Sequence, residues 1–434
     1  MVNSTTASVS SNEKDSLQTL HMEHLALVVI MCRLAEFFSI FTFAIASALV
    51  FPQVFFPNYE PVMGMIMSFA VFSLAFIARF FSRFVFRQID SRIGRGTKIT
   101  VAMFIFGGST MFIGFLPGYA EIGIVAPILL AVFRTLQGFG IGGSWDGLPI
   151  IMMQNAAKNK ESWYAMIPQI AGPAGFFISA AIFFVLTNFL TAEEFISWGW
   201  RFPFFIVLSF QVVALFARLR LIDTPEYENT ANQNELRGSS VVGVIRHHWK
   251  QVILGAYMPL ASYALFHLVT IFPLGYVLLY HEFTIPNILL IQMAGSAIAV
   301  VTCMLSGILA DKFGRRRFLI VVISLVGLLS FNITNLIHSV WIFLLLGFTL
   351  VGFAFGQSSS TLPHRFQQKY RFTGVALTND LAWLFGAAFA PIVALSLTHW
   401  FGIKFAGYYL LSGVIATLIA LFIVERSSSS GEVS

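Results

Sequence analysis

The stretch Gly307-Ile-Leu-Ala-Asp-Lys-Phe-Gly-Arg-Arg-Arg317 separates two long apolar segments in the second half of the chain. A similar stretch, Gln88-Ile-Asp-Ser-Arg-Ile-Gly-Arg95, separates two apolar segments in the first half. Aligning Gly94 with Gly314 gives an offset of 220 residues, which is about half of the 434-residue chain. A repeat at half length predicts a duplicated bundle. Two related bundles around a site near the middle of the bilayer are the architecture of alternating-access transporters.

The composition requires that lipid faces most of the chain. Hydrophobic residues make up 57% of the sequence and charged residues only 11%, whereas a soluble domain carries about 25% charged residues. A bilayer span needs about 20 apolar residues, and the chain has twelve such stretches. The sequence therefore predicts an all-α membrane protein of twelve transmembrane helices in two pseudo-symmetric six-helix bundles. The predicted spans are 25–51, 62–86, 99–117, 122–148, 163–190, 201–221, 250–280, 286–310, 318–338, 340–361, 373–398 and 403–424.

Lysine and arginine residues set the predicted orientation. With the N-terminus inside, the cytoplasmic loops and tails hold twenty of them, including Arg218 at the end of span six, and the other side holds two. The positive-inside rule then places both termini in the cytoplasm. Because the net charge of +6 lies in these connectors, it does not indicate nucleic acid. The predicted organisation is a cytoplasmic tail at 1–24, a bundle at 25–221, a cytoplasmic linker at 222–249, a bundle at 250–424 and a cytoplasmic tail at 425–434.

The two similar connectors are candidates for a gate between the bundles. Glycine permits a tight turn between two helices, and the nearby acid can cap the N-terminus of a neighbouring helix or pair with the following arginine. Contacts of this kind can form and break as the bundles rock. The alternative is that these basic loops only set the topology. The gating candidates are Asp90, Arg92, Gly94, Arg95, Gly307, Asp311, Gly314 and Arg315.

Charged residues inside spans are functional candidates, because each costs about 2.5–3.5 kcal/mol on insertion scales. Glu36 lies three residues after Arg33, so the two can pair on one helix face. The alternative is that Glu36 faces the cavity and takes up a proton. Asp380, next to Asn379, has no basic residue one turn away. It therefore meets a charge from another helix or is protonated, and it is a candidate for coupling or binding.

Arginines in the first half are candidates for binding the substrate. Arg79 in span two and Arg134 in the third-to-fourth hairpin can each hold a carboxylate through two parallel hydrogen bonds. This predicts a small anion or a zwitterion as the substrate. The alternative is that they pair with Glu36 or with a backbone carbonyl. Gln137 follows Arg134 by three residues, and Asp146 near the mouth of span four is either a site residue or a cap for the loop that follows.

Span seven contains the only histidine that lies well inside a span, His267. One alternative is that a neighbouring group simply forms a hydrogen bond with this side chain. The other is that the histidine acts as a proton relay or contacts the substrate, because histidine titrates near neutrality. Tyr263 lies four residues before it, and Pro259 and Pro273 interrupt the same span. Broken helices line the binding sites of paired-bundle transporters, so span seven is predicted to line the site.

At its two connectors the chain resembles the major facilitator superfamily. Further motifs resemble the metabolite:proton symporter family, which includes proline/betaine, α-ketoglutarate, shikimate and citrate permeases. Arg134-Thr-Leu-Gln-Gly-Phe-Gly-Ile-Gly-Gly-Ser-Trp-Asp-Gly147 resembles that family's fourth-span signature, and its glycines suit close helix packing. Trp198-Gly-Trp-Arg-Phe-Pro-Phe204, Thr224-Pro-Glu-Tyr227 and Phe372-Thr-Gly-Val-Ala-Leu377 also match. The resemblance spans nearly the whole chain and implies a multi-pass protein of a bacterial inner membrane.

The chain departs from that family at its acids. Ser39 and Ser144 stand where the family usually has acidic residues, and Asp90 lies one position before the usual gate acid. Asp146 replaces a usual glycine, and Asp380 falls where asparagine is typical. The family's coupling roles therefore cannot be transferred as a set.

The leading hypothesis is a proton-coupled importer of a small polar metabolite, a carboxylate or a zwitterion. The alternatives are an uncoupled facilitator or exporter and, from another class, a sensor that binds solute without moving it. An enzyme is not indicated, because the sequence has no phosphate loop, no His-Glu-x-x-His motif and no nucleophile elbow. No cofactor or metal is predicted, and a monomer suffices for this architecture.

Overall fold

The computed structural model describes residues 11–144, 147, 150–152, 156, 160–222, 224, 227, 238–280, 284–336, 339–358 and 366–429. Within these ranges the secondary structure is helical, with no strand. The long helices of the first half are α1 (Ser11–Leu49), α2 (Pro61–Ile93), α3 (Arg95–Phe115), α4 (Val125–Gly143), α5 (Glu161–Phe189) and α6 (Phe202–Ile222).

Two of the six long helices in the second half are interrupted. Helix α7 consists of Val241–Tyr257, Leu260–Thr270 and Phe272–Tyr280, and α11 consists of Gln368–Trp383, the π-helical turn Leu384–Ala388 and Ala390–Phe401. The continuous helices are α8 (Ile285–Phe313), α9 (Arg315–Phe331), α10 (Val340–Gly356) and α12 (Lys404–Ser429). Short helices lie in the connections at Phe51–Phe55, Tyr119–Ile122, Ala192–Ser197, Gly199–Arg201 and Ile333–Leu336.

Each predicted span coincides with one of α1–α12. Of the described helical stretches, ten are long and apolar enough to cross a membrane, and α10 is apolar but has 17 residues. Several helix bounds differ from the predicted ones, among them the ends of spans four and nine and the start of span seven. Helix α4 ends at Gly143, and α9 ends at Phe331, before a break at Asn332. Helix α7 begins at Val241, inside the predicted linker, because the Ser240 side chain caps it by accepting the Gly243 N–H.

The connectors that suggested duplication both turn at a glycine with a positive φ. Gly94 joins α2 to α3 with a φ of 97°, and Gly314 joins α8 to α9 with a φ of 85°. Residues with a Cβ rarely adopt such angles, whereas glycine does so readily. The two glycines therefore allow the tight turns that the sequence predicts.

Helix packing inside the two halves is also repeated. Gly138 of α4 lies so close to the backbone of Ala75 in α2 that a Cβ would overlap it. Gly352 of α10 meets Ala299 of α8 in the same way. Four residues further along, Gly142 faces Ser82 and Gly356 faces Ser306. The glycines of span four thus serve close packing, and the second half repeats the contact.

The two halves meet where α5 packs on α8 and α10, α2 packs on α11, and α1 and α2 contact the last segment of α7. The π-helical turn of α11 takes part in this boundary, because Ser73 Oγ of α2 donates a hydrogen bond to the Ala388 carbonyl at 2.6 Å. Aromatic side chains fill the middle of the boundary. Among them, Phe41 of α1 lies 5.1 Å from Phe266 of α7, measured between ring centroids.

Candidate functional site

A buried carboxylate joins the two halves through α2 and α11. Asp380 Oδ1 accepts a hydrogen bond from Arg79 Nε at 2.7 Å, and Oδ2 accepts one from Arg83 Nε. The Asp380 side chain is 0% exposed. Asp380 thus meets charges from another helix, and Arg79 pairs with it rather than with Glu36. We call Arg79, Arg83 and Asp380 the latch.

Glu36 lies in a second buried cluster, inside the first half. It pairs with Arg33 on α1, and its Oε1 accepts a hydrogen bond from Arg218 Nη2 at 2.6 Å. Ser144 Oγ lies 3.3 Å from the same oxygen, and Arg218 donates to the Ser144 carbonyl. Arg218 was counted with the connector residues in the sequence, but it lies within α6, which continues to Ile222, and it is 1% exposed. It therefore belongs to the bundle interior.

Arg134 and Gln137 form a third polar cluster near the middle of α4. Arg134 Nη1 donates to Gln137 Oε1, and Arg134 Nε donates to the Phe72 carbonyl at 3.2 Å. The guanidinium carbon lies 4.0 Å from the ring centroid of Phe43 and 4.8 Å from that of Phe72. Gln137 Nε2 donates to Ser39 Oγ at 2.9 Å. The remaining nitrogen, Arg134 Nη2, is buried and has no hydrogen-bond partner among the described residues.

These three clusters bury more positive than negative charge. In the described part of the spans two carboxylates are buried, those of Glu36 and Asp380. Five arginines are buried with them, each at most 9% exposed: Arg33, Arg79, Arg83, Arg134 and Arg218. An excess of arginine in a medium of low dielectric constant attracts an anion.

His267 lies at the boundary between the halves, among aromatic rings. Its Nδ1 is 3.2 Å from the Tyr263 carbonyl, while its Nε2 is buried without a partner in the described ranges. Its ring centroid lies 5.8 Å from that of Phe72 and 6.1 Å from that of Trp383. Tyr263 extends the cluster, because its hydroxyl donates to Asn379 Oδ1 at 3.2 Å. A neighbour therefore satisfies only one of the two histidine nitrogens.

The connector of the second half contacts the first half. Asp311 accepts hydrogen bonds from the backbone N–H groups of Ser162 at 2.9 Å and Trp163 at 3.1 Å, at the N-terminus of α5. Arg315 Nε donates to Ser162 Oγ at 3.3 Å. A Cβ on Gly307 would lie only 3.0 Å from the Trp163 Cα, so the glycine allows α8 to approach α5. Here the acid caps a helix of the other half.

The connector of the first half uses its acid differently. Asp90 lies 3.7 Å from Arg95, which is the pairing alternative of the sequence analysis. Arg95 donates to the Tyr227 hydroxyl at 2.7 Å and lies 5.2 Å from the ring centroid of Phe372 in α11. Arg92 is exposed. The same motif thus contacts the other half through an arginine rather than an acid.

We expect Asp311→Asn to favour separation of α5 from α8 at the connector end, because a neutral side chain loses the charge that caps α5. Losing a negative charge at a helix N-terminus costs about 0.3–1 kcal/mol, which changes a two-state ratio by up to about fivefold. Spin labels at Lys160→Cys and Lys369→Cys, both exposed in opposite halves, would report a larger population at long distance. Asp90→Asn is the matched control. Identical distance distributions in the two variants would contradict the capping role.

Some residues of these clusters were not predicted from the sequence, and one predicted residue is not described by the structure. Asp146 lies outside the described residues. Arg218 carried a usable signal, because it falls seven residues after Gln211 and therefore on the same face of α6. Gln211 Nε2 donates to the Ala35 carbonyl of α1 at 3.4 Å, so this face is the buried one. The helical spacing of the sequence did not indicate Trp383. Its ring centroid lies 6.1 Å from that of His267 because of how the helices pack.

Two repeated helical bundles that meet around buried charges define a membrane transport protein. Comparison with known proteins gives the family. The family model described as Major Facilitator Superfamily matches residues 122–384. The chain belongs to this superfamily and is a multi-pass transporter of metabolites.

Individual relatives agree with this family. The chain is 34% identical over 407 residues to the inner membrane metabolite transport protein YhjE of Escherichia coli (strain K12), covering 90% of this chain and 91% of that protein. It is 27% identical to the shikimate transporter of the same organism, covering 90% and 92%. A crystal structure of a D-xylose-proton symporter aligns with a TM-score of 0.69 at 16% identity, covering 92% of this chain and 96% of that one. That structural likeness shows a shared fold.

Proposed function

We propose that the protein is a proton-coupled symporter that takes up a small metabolite bearing a carboxylate, an anion or a zwitterion, by alternating access. The observation that carries the proposal is the excess of buried arginine, five against two carboxylates in the described spans. A carboxylate between the halves would reduce this excess and would match the two-pronged geometry of a guanidinium group. The name of the shikimate transporter supports a carboxylate as the substrate. The name of the D-xylose-proton symporter supports coupling to protons.

Asp380 is the proposed proton carrier, because it belongs to the latch. Protonation would remove the charge that holds Arg79 and Arg83 across the boundary, so proton uptake would weaken the contact between α2 and α11. Glu36 is a weaker candidate, since Arg33, Arg218 and Ser144 all belong to the first half. Its protonation would not act directly on the boundary between the halves.

Transport in liposomes tests this proposal. The purified protein should accumulate a radiolabelled carboxylate only under an inward proton gradient. In Asp380→Asn we expect accumulation to be lost while exchange of labelled for unlabelled substrate continues, because exchange needs no net proton movement. Glu194→Gln, at an exposed acid outside the spans, is the matched control.

The other outcomes separate the competing functions. Equal uptake with and without the gradient would overturn proton coupling and indicate an uncoupled facilitator or an exporter. Binding without flux under any gradient would indicate a sensor. Unchanged proton dependence in Asp380→Asn would exclude Asp380 as the carrier.

We also propose that the protein lies in a bacterial inner membrane with both termini in the cytoplasm. The bias of lysine and arginine toward alternate loops supports this orientation, and the relative named as an inner membrane protein supports the location. The segment between α6 and α7 would then be a cytoplasmic linker between two domains. We propose a monomer, because one chain contains both halves of the site.

A further inference from the structure

Two buried nitrogen atoms near the middle of the spans have no partner among the described residues. They are Arg134 Nη2 in α4 and His267 Nε2 in α7, and both side chains are 0% exposed. Polar atoms are rarely left unpaired inside proteins, so each needs a function or a ligand. The two residues belong to different halves but share a neighbour, because the Phe72 ring contacts the Arg134 guanidinium and the His267 imidazole.

The hydrogen bond at the other nitrogen of His267 defines what Nε2 can bind. A backbone carbonyl only accepts hydrogen bonds, so the contact with the Tyr263 carbonyl places the proton of a neutral ring on Nδ1. Nε2 is then an acceptor. It fits a hydroxyl group that donates a hydrogen bond, whereas Arg134 Nη2 donates and fits a carboxylate oxygen.

Rings from both halves surround His267. The centroids of Phe72 and Phe76 of the first half and of Trp383 of the second lie 5.8, 6.2 and 6.1 Å from that of His267. Phe76 is nearly parallel to Trp383, with an interplanar angle of 12°. When the halves separate, these ring contacts are lost. A substrate that carries a ring can replace them, whereas a thin acyclic chain leaves voids.

We propose that the substrate is a hydroxylated cyclic carboxylate. Its carboxylate binds Arg134, its ring lies among Phe72, Phe76 and Trp383, and its hydroxyl donates to His267 Nε2. The inference rests on the proposed function, because it states which carboxylates that site selects. His267 is a specificity residue: it touches the substrate from the second half while Arg134 touches it from the first.

Four carboxylates of equal charge test the proposal in binding measurements on the purified protein. They are 4-hydroxycyclohexanecarboxylate, cyclohexanecarboxylate, 6-hydroxyhexanoate and hexanoate. We expect the hydroxylated ring to bind at least about tenfold more tightly than either acyclic acid, because a pocket that fits an apolar group and pairs a hydroxyl discriminates by such factors. Cyclohexanecarboxylate should bind with intermediate affinity.

Substitution of His267 separates the preference for a hydroxyl group from the preference for a ring. His267→Phe keeps a ring but removes the acceptor, so we expect the two cyclic acids to bind equally while the preference for rings remains. His399→Phe, at an exposed histidine of α11, is the matched control and should keep both preferences. A hydroxyl preference that survives in His267→Phe overturns the role of His267.

Comparison of the four acids on the unmodified protein keeps the test decisive if His267→Phe does not fold. Equal binding of cyclic and acyclic acids would overturn the ring requirement and leave the proposed carboxylate transporter standing. Binding of none of the four would overturn this inference alone, because the proposed function is tested separately by proton-driven accumulation in liposomes.

Discussion

Glu36→Gln is expected to lower the free energy of unfolding by about 3–5 kcal/mol, because removing one partner of a buried ion pair leaves the other charge uncompensated. Here two charges are left, those of Arg33 and Arg218, which both pair with this one carboxylate inside the first half. Ser144 also loses the charged oxygen next to its hydroxyl. Thermal unfolding in detergent would show the loss as a strongly reduced midpoint or as failure to recover folded protein.

Two further variants test this explanation. Glu23→Gln alters an exposed acid on the same helix and should unfold like the unmodified protein. Glu36→Leu combined with Arg218→Leu should be more stable than Glu36→Leu alone, because the double variant leaves one buried arginine fewer without an acid. If Glu36→Gln unfolds at the same temperature as Glu23→Gln, the cluster does not hold the bundle together.

Gly138→Ala is expected to destabilise the protein by about 3 kcal/mol, at the upper end of the usual range for overpacking. The added methyl group would overlap backbone atoms of Ala75, and backbone cannot move aside as a flexible side chain can. Gly352→Ala should behave alike, because it meets the backbone of Ala299 in the second half. The measurement is again the midpoint of thermal unfolding.

The matched control is Gly108→Ala in α3, where an added Cβ has no atom within 4 Å. Alanine favours the helix over glycine by about 0.5–1 kcal/mol, so this variant should be neutral or slightly more stable. Similar midpoints for Gly138→Ala and Gly108→Ala would show that the helices can shift apart without loss.

The sequence predicts contacts within one helix but not contacts across the fold. Arg33 with Glu36, and Arg134 with Gln137, are three residues apart, so helical spacing alone brings each pair together. The partner of Asp380 could not be found in this way, because Arg79 is 301 residues away in the chain. The spacing of charged residues along the helix showed only that Asp380 has no partner one turn away. Which other helix provides the partner of Asp380 depends on how the two halves pack.

The connectors show how a small sequence difference changed a predicted role. Asp311 lies three residues before Gly314, whereas Asp90 lies four residues before Gly94. Both acids belong to the last turn of a helix, where a shift of one residue rotates a side chain by about 100° around the axis. Asp311 therefore reaches the N-terminus of α5, while Asp90 meets Arg95. The similar spacing suggested equal functions, but the rotation separates them.

The paired glycine contacts also determine which parts of the molecule can move. At Gly138 and Gly352 the helix backbones touch with no room for a methyl group, so α2 cannot slide over α4, nor α8 over α10, without steric overlap. Motion is left to surfaces covered by side chains and to the interruptions of α7 and α11. We expect α2 to move together with α4, and α8 together with α10, while the interruptions of α7 and α11 act as joints. Substitutions at those joints would alter the speed of transport, whereas substitutions at the glycine contacts would alter whether the protein folds.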